Sequence, residues 1–485
     1  MLYLGVNALN HDASVCLSDS DNILFAAHAE RYSRKKNDSD LNIALLEDVY
    51  ARGKPDSIIW PEIAWSKALR RLRSGERPLF NSPKKYLAKH GITDVKIETV
   101  PHHGAHAALG YYTSGYNNAM IVVVDAIGEL ATTSVWEGSG HKLTCRWQST
   151  YPDSMGLFYT AITHAIGLKP NEEEYITMGM AAFGEPKHVD ELKIMLFNHW
   201  HPPIIDVRYN MHMGIKSLID WRDWRAEDVA ASAQLMYEEY LLETVKCFRK
   251  FTNTTNLVLS GGCALNCVAN NNVIKQGLFK RVYVPPNPGD AGLSMGAVLY
   301  KMQKPVKLTH AYLGHNIRRP VDVTAVIDRL EAGEVIGIAN GAAEYGPRAL
   351  GNRSILADPR GPDVKNRVNR IKRRQPFRPF APVVLAEHAH FYFDISDNRH
   401  DFMQYALPCL EPDKYPAICH VDNTSRVQTV NYDNPSIIRT ILEAWHQRTG
   451  CAVLLNTSMN IRGEPLVNDW SDAVRFARLN DVAVF

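Results

Sequence analysis

The segment Met120-Ile-Val-Val-Val-Asp125 constrains what this chain can fold into more than any other: five successive apolar residues end in a carboxylate. Side chains on a strand alternate between two faces, so an unbroken apolar run needs cover on both sides. A sheet with layers above and below it meets that need, and Asp125 then falls at the sheet's edge. The pattern returns in Leu257-Val-Leu259, which runs into Ser260-Gly-Gly-Cys-Ala-Leu-Asn266 and a helix-like stretch from Cys267 to Gln276. Arg281-Val-Tyr-Val284 leads in the same way through Pro285-Pro-Asn-Pro-Gly-Asp290 to a small-residue helix over 291–300. Strand, polar loop and helix in repeated order predict an α/β fold whose ligand loops sit at strand ends.

Around these elements the chain opens on a predicted hairpin (Leu2 to Val6, Ala13 to Leu17) and a further strand at Ile23 to Ala26. Helices are expected over 42–52 and 104–112, and a second hairpin over 132–136 and 143–147. Asp190 to Asp228, with Trp200, Trp221 and Trp224, reads as an insertion or lid, and equally as a helical surface subdomain. The Lys- and Pro-containing stretch over 301–319 reads as a linker. A helix over 321–332 and the strand Val335 to Ala339 then open a second domain near residue 320, closed by a helix over 435–450 and the strand Ala452 to Asn456. A length of 485 residues accommodates this division. The 54 basic and 52 acidic residues leave a net charge of +2, so any anion site must be local. Eight cysteines without a Cys-x-x-Cys spacing, no secretory pattern and no apolar run near membrane-spanning length predict a cytoplasmic protein with no membrane partner.

Four clusters carry chemistry. In His102-His103-Gly104-Ala105-His106, a helix would bring His102 and His106 one turn apart, about 5–6 Å between Cβ atoms, as two imidazoles converging on a metal require. A polar helix start is the plainer alternative. Asp125, at a strand end, and Asp290, in a Gly-rich turn ahead of a helix, are the carboxylates available to complete the set, and two histidines with two aspartates tolerate Fe, Mn or Zn. Gly261 and Gly262 let backbone amides approach a ligand, or form an ordinary turn. No phosphate-binding Gly-x-x-x-x-Gly-Lys loop is present. Six basic residues between Arg367 and Arg378, preceded by Arg348, Asn352 and Arg353, concentrate positive charge beside Phe377 and Phe380, which argues for phosphate binding over a solvated basic flank. Asn456, Ser458 and Asn460 follow a strand and suit either a planar carbamoyl group or turn capping.

Taken together, His11-Asp12-Ala13-Ser14, Glu30-Arg31-Tyr-Ser-Arg34-Lys35-Lys36, the His102 to His106 cluster, Asp125-x-x-Gly128-Glu129, Met178-Gly179-Met-Ala181, the Ser260 to Asn266 loop, and Glu344-Tyr-Gly-Pro-Arg348-Ala-Leu-Gly351-Asn352-Arg353-Ser354-Ile355 resemble the ATP-dependent O-carbamoyltransferases of antibiotics and nodulation factors. The resemblance continues through Phe377-Arg-Pro-Phe-Ala-Pro382 and Asn456-Thr-Ser-Met-Asn460. It implies an actin/Hsp70/sugar-kinase-like N-terminal domain over 1–310 and a YrdC-like α/β domain over 320–485. It also implies two reactions: carbamoyl phosphate and ATP give carbamoyladenylate, phosphate and pyrophosphate, and the carbamoyl group then passes to an acceptor hydroxyl with release of AMP. His102, His106, Asp125 and Asp290 would hold a divalent metal, Fe or Mn ahead of Zn, with Mg accompanying ATP. Gly261, Gly262 and Asn266 would surround the adenylate. Arg348, Asn352, Arg353, Lys372, Arg378, Asn456, Ser458 and Asn460 would form it, with Arg348, Lys372 and Arg378 acting on the phosphates. His11 would serve as base toward the acceptor, or else orient the Asp12 turn. The sequence departs from many relatives at Ala126, Ile127 and Met459, changes that bear on the acceptor pocket. The acceptor could be a small molecule, a nucleoside or a nucleic acid. A tRNA threonylcarbamoyl-transfer enzyme is the alternative with the same domain logic.

Overall fold

A computed structural model describes residues 1–73, 77, 82–221, 223–395 and 400–485. The chain forms two compact units: residues 60–86 and 99–305 make one, and residues 1–59, 87–98 and 306–485 make the other. The first 59 residues, expected with the remainder of 1–310, thus group with the C-terminal segment. The reason is polar as well as apolar. The Arg31 guanidinium donates to the Gly346 carbonyl at 2.7 Å, and Arg34 donates to the carbonyls of Leu466 (2.6 Å) and Pro465 (2.9 Å).

In the terminal unit, β1 (Tyr3–Asn7), β2 (Ser14–Ser18) and β3 (Ile23–His28) form an antiparallel meander. With β4 (Ser57–Trp60) and β5 (Lys96–Thr99) they make a sheet of order β3-β2-β1-β4-β5, in which β4 runs parallel to β1. The central unit repeats this order. Its strands are β6 (Asn118–Gly128), β7 (Ala131–Ser139), β8 (Lys142–Thr150), β9 (Asn256–Ser260) and β10 (Arg281–Tyr283), arranged β10-β9-β6-β7-β8 with β9 parallel to β6. No residue-level repeat announces the duplication. It is carried by hydrophobic pattern and connection order. The continuous apolar run of β6 is buried from Ala119 to Asp125, as its composition demands.

The helix expected from residue 104 begins earlier, at His102, and runs to Ser114 with every residue buried. It packs on the helix Leu293–Met302 at a close approach that only glycine permits: a Cβ on Gly296 would lie 2.2 Å from the Ala105 carbonyl oxygen. Between the sheet strands, the Asp190 to Asp228 stretch is neither a bare loop nor purely helical. It holds the helix Val189–Leu196 and the hairpin Phe197–His201/Ile204–Val207, with Trp224 stacked on His188 at 4.0 Å; Arg222 lies outside the described residues. A helix of 24 residues, Ala226–Arg249, follows it.

The stretch expected to be a linker contains a strand, β11 (Tyr312–Ile317), paired antiparallel with β13 (Gly341–Glu344). Alternating buried and open positions in Tyr312-Leu-Gly-His-Asn-Ile317 explain it, and the flanking lysines and prolines obscured that pattern. The last sheet has the order β16-β15-β17-β14-β12-β18, built from β12 (Ile336–Ala339), β14 (Arg353–Ala357), β15 (Ala381–Leu385), β16 (Gln428–Val430), β17 (Val453–Ser458) and β18 (Ala483–Val484). Among the described residues, no helix is long and apolar enough to cross a membrane.

Candidate metal centre and anion site

In the central unit, one helix, one strand and one loop converge. His102 and His106 occupy the first turns of the helix, Asp125 comes from β6, and Asp290 opens the turn before the packed helix. One ligand atom from each lies within 4.8 Å of all the others. His102 Nε2 is 3.3 Å from Asp125 and 3.5 Å from Asp290; His106 Nε2 is 3.7 Å and 3.4 Å from the same carboxylates. The two Nε2 atoms are 3.2 Å apart. Four donors at about 2.1 Å from one cation in tetrahedral geometry stand roughly 3.4 Å from one another, so the residues present fit a divalent metal. Burial alone would keep both imidazoles neutral, but the carboxylates of Asp290 and Asp125 outweigh it and lift both histidines above their ordinary range. Burial works against the charged carboxylates too, and the imidazoles nevertheless hold Asp125 and Asp290 below theirs.

The glycine loop acts on this centre through the backbone. Gly262 N–H donates to Asp125 Oδ1 at 3.1 Å, and Gly261 N–H donates to the Pro288 carbonyl at 3.1 Å. Gly261 has φ +87°, and a Cβ there would sit 2.3 Å from the Val124 carbonyl oxygen, so this turn requires glycine. The Gly262 amide fixes the Asp125 carboxylate, and the Gly261 amide ties the loop to the segment that leads to Asp290. Asn266, expected at the adenylate, caps the following helix by accepting from Ala269 N–H at 3.0 Å and exchanges two hydrogen bonds with Gln234. His103 turns away from the cluster to Ser134 Oγ, 2.8 Å distant, and burial pulls its imidazole down to about 3.

The basic cluster lies in the terminal unit, as does His11, so neither belongs to the unit that holds the four metal-site residues. At its centre is Lys372, the last residue of the helix Val364–Lys372 and only 5% exposed. Its ammonium donates to the Ser458 carbonyl (2.5 Å) and hydroxyl (3.0 Å), and to the Asn460 carbonyl and Oδ1 (both 2.9 Å). All four acceptors are uncharged, and among the described residues no carboxylate pairs with it. Burial, reinforced by Arg374 and Arg378, holds its pKa well below the lysine range. Asn456 lies at the middle of the sheet, opposite Leu356 and Ala381; its amide donates to Ala349 and Gln428, while its Oδ1 is buried without a partner among the described residues. Ser458, Asn460 and Lys372 are therefore one hydrogen-bonded cluster.

Arg353 has a different role from the ligand contact expected of it. It is fully buried, and its guanidinium donates to the carbonyls of Asn468, Asn340, Gly341, Asn352 and His315 at 2.8–3.1 Å. Burial pulls its pKa down to about 10. With its donors committed to backbone, it ties loops together. Arg353→Ala is expected to lower global stability by about 3 kcal/mol or more, measured by denaturant unfolding, because several buried carbonyls lose their donor. Asn352 is likewise interior, donating to the Ala342 carbonyl at 2.7 Å and accepting from Ser436. Arg348 and Arg378 are partly exposed. His11 is half-exposed in the β1–β2 turn, with Nδ1 2.9 Å from Asp12.

Two supporting residues stood in quoted motifs without an assigned role. Glu344 Oε1 accepts from the N–H groups of Leu350, Asn352 and Arg353 at 2.8, 2.9 and 3.2 Å, so one buried carboxylate shapes the loop that carries Arg348. Arg31 holds Gly346 in the same loop. A carboxylate at the end of a strand, nine positions before a buried arginine, was the available signal for Glu344. The reach of Arg31 across the chain had none.

The family model described as Carbamoyltransferase N-terminus matches residues 59–299, and Carbamoyltransferase C-terminus matches 327–485. Similar proteins include sll1178 of Synechocystis, an uncharacterised protein 32% identical over 97% of this chain and 93% of its own. Nodulation protein NolO of Bradyrhizobium diazoefficiens is 32% identical over 77% of this chain and 75% of its own. The 3'-hydroxymethylcephem-O-carbamoyltransferase of Streptomyces clavuligerus is 26% identical over 97% and 95%. Among solved structures, T. kodakarensis HypF shares 15% identity over 62% of this chain and 47% of that chain, at a TM-score of 0.34. Matches to both family halves, together with near full-length similarity at 32% identity, establish that this chain belongs to the carbamoyltransferase family.

Proposed function

We propose that the protein forms carbamoyladenylate from carbamoyl phosphate and ATP and transfers the carbamoyl group to an acceptor hydroxyl. The observation that carries this reading is Lys372, a buried ammonium whose hydrogen-bond acceptors among the described residues are all neutral oxygens. An unpaired buried charge is costly, and a phosphate oxyanion is the counter-charge such a site lacks. In the first step water releases carbamate and phosphate from carbamoyl phosphate. A carbamate oxygen then bonds to the α-phosphorus of ATP as the bond to the β-phosphate breaks, releasing pyrophosphate. Lys372, Arg348 and Arg378 stabilise charge on the phosphoryl oxygens, most strongly where water is excluded. Asn456 Oδ1 provides an acceptor for the carbamoyl amide.

In the second step the acceptor oxygen bonds to the carbamoyl carbon and AMP leaves. His11, hydrogen-bonded through Nδ1 to Asp12, takes the hydroxyl proton. A divalent ion, Fe or Mn ahead of Zn, held by His102, His106, Asp125 and Asp290 would neutralise phosphate charge during this transfer. The relative named for O-carbamoylation of a hydroxymethylcephem supports a hydroxyl acceptor; small molecules, nucleosides and nucleic acids are the classes to assay, and a cytoplasmic location is part of the proposal.

The test supplies purified protein with carbamoyl phosphate, ATP and a panel of hydroxylated acceptors, and follows phosphate, pyrophosphate, AMP and the product mass. Carbamoylated product is the expected result. Threonylcarbamoyl-adenosine in tRNA, with no carbamoylated hydroxyl, would overturn the reading. Arg378→Ala should lower pyrophosphate release roughly 100-fold, and synthetic carbamoyladenylate should restore product. Normal adenylate formation by this variant would remove Arg378 from the site.

A further inference from the structure

The hairpin Phe197–His201/Ile204–Val207 of the central unit has one face turned inward and one outward. Phe197, Ile205 and Val207 are buried. Trp200 joins them, its ring 4.8 Å from that of Phe197 and its Nε1 donating to Glu239 Oε1 of the long helix Ala226–Arg249 at 3.0 Å. These contacts fix the hairpin on the helix. Alternation then leaves His199, His201, Ile204 and Asp206 exposed on the outward face. The register sets Asp206 directly opposite His199 and Ile204 opposite His201. The ring centroids of His199 and His201 are 6.1 Å apart. Among the described residues neither imidazole has a hydrogen-bond or ion-pair partner, and no cation pairs with Asp206, whose carboxylate meets the Asn198 amide at 3.5 Å.

We propose that His199, His201 and Asp206 form a further metal site, on the outward face of this hairpin, for a divalent transition ion of the zinc, nickel or copper type. Two imidazoles at alternate positions of one strand lie side by side and can chelate one cation, and nitrogen donors favour such ions over magnesium or calcium. Asp206, at the roughly 5 Å Cβ spacing of a directly opposed pair, adds an oxygen donor and a compensating charge. A cation about 2.1 Å from each ring nitrogen brings two imidazole centroids to roughly 5 Å in tetrahedral geometry, close to the 4.9 Å of His102 and His106. From 6.1 Å the exposed rings reach that spacing by side-chain rotation alone. Water completes the open side of the shell. The site is independent of the carbamoyl chemistry, because none of its three residues belongs to the buried cluster or to the Lys372 cluster.

The test treats the full-length protein with diethylpyrocarbonate, without zinc chloride and with zinc chloride in excess over both centres, and maps modified histidines by peptide mass spectrometry. His199 and His201 should react without zinc and be protected by it, while His212, exposed in the same region, reacts in both conditions. His201→Ala should abolish protection at His199. Asp206→Asn should raise the zinc concentration at the protection midpoint by at least the roughly 10-fold that even an outer partner of a metal ligand contributes. All three side chains are exposed, so the zinc-free melting temperatures of these variants should match wild type and separate lost binding from misfolding. Equal modification of His199 and His201 with and without zinc would overturn the proposal, as would protection of His199 that survives His201→Ala, or zinc shielding His212 equally.

Discussion

His106→Ala should reduce carbamoyl transfer by roughly 100-fold or more and lower metal content with it, while pyrophosphate release from carbamoyl phosphate and ATP survives. The asymmetry follows from where the residues lie. His106 is fully buried in the central unit among His102, Asp125 and Asp290, whereas the Lys372 cluster belongs to the terminal unit. Removing one imidazole takes away a donor and leaves two carboxylates facing a single histidine, so the metal should be lost rather than held less tightly. Metal analysis of the purified variant, pyrophosphate release and acceptor mass spectrometry separate these effects. Synthetic carbamoyladenylate should fail to rescue it. His106→Asn, which keeps a polar side chain of smaller size, guards against misfolding as the cause. Equal loss of both reactions in a folded, metal-replete variant would dissociate the cluster from transfer.

Lys372→Met should have the opposite signature, with pyrophosphate release reduced roughly 100- to 1,000-fold and transfer from supplied carbamoyladenylate retained. The ammonium is the buried charge at the centre of the basic cluster, and methionine keeps its length without its donors. Its lowered pKa also predicts two pH effects of defined sign. Because burial and the neighbouring guanidiniums disfavour the charged form in the folded chain, the unfolded chain binds this proton more tightly. Between the lowered native value and the unfolded value of about 10.4, stability should therefore rise with pH in wild type, and less steeply in Lys372→Met. Activity runs the other way: kcat/KM for adenylate formation should fall as pH rises through the native value and the ammonium is lost. Lys372→Arg, which stays charged, should remove that decline. A wild-type profile that is flat, or one that Lys372→Arg leaves unchanged, would contradict a phosphate-facing ammonium.

Much of what brings the candidate residues together was legible along the chain because it is written locally. His102 and His106 lie four residues apart, and the helical repeat alone brings them to one face. Asp125 ends an apolar run whose only stable setting is a covered strand, and Ser458 and Asn460 follow Asn456 in one strand and turn. Arg353 misled for an equally physical reason. An arginine in a basic motif reads as an anion ligand, yet five backbone carbonyls from four segments of the chain surround this one.

By itself, then, the sequence determined the α/β layering, the repeated strand-loop-helix grammar and the residue types of both clusters, because periodicity and spacing act over a few residues. Tertiary structure alone decided that Met1–Ile59 joins the C-terminal segment and that Gly262 steers Asp125. It alone decided, too, that Glu344 shapes the Arg348 loop through three backbone amides. Each of these depends on groups brought together by chain reversal, and a buried donor or acceptor takes whatever partner the packing delivers, however far away it lies in the sequence.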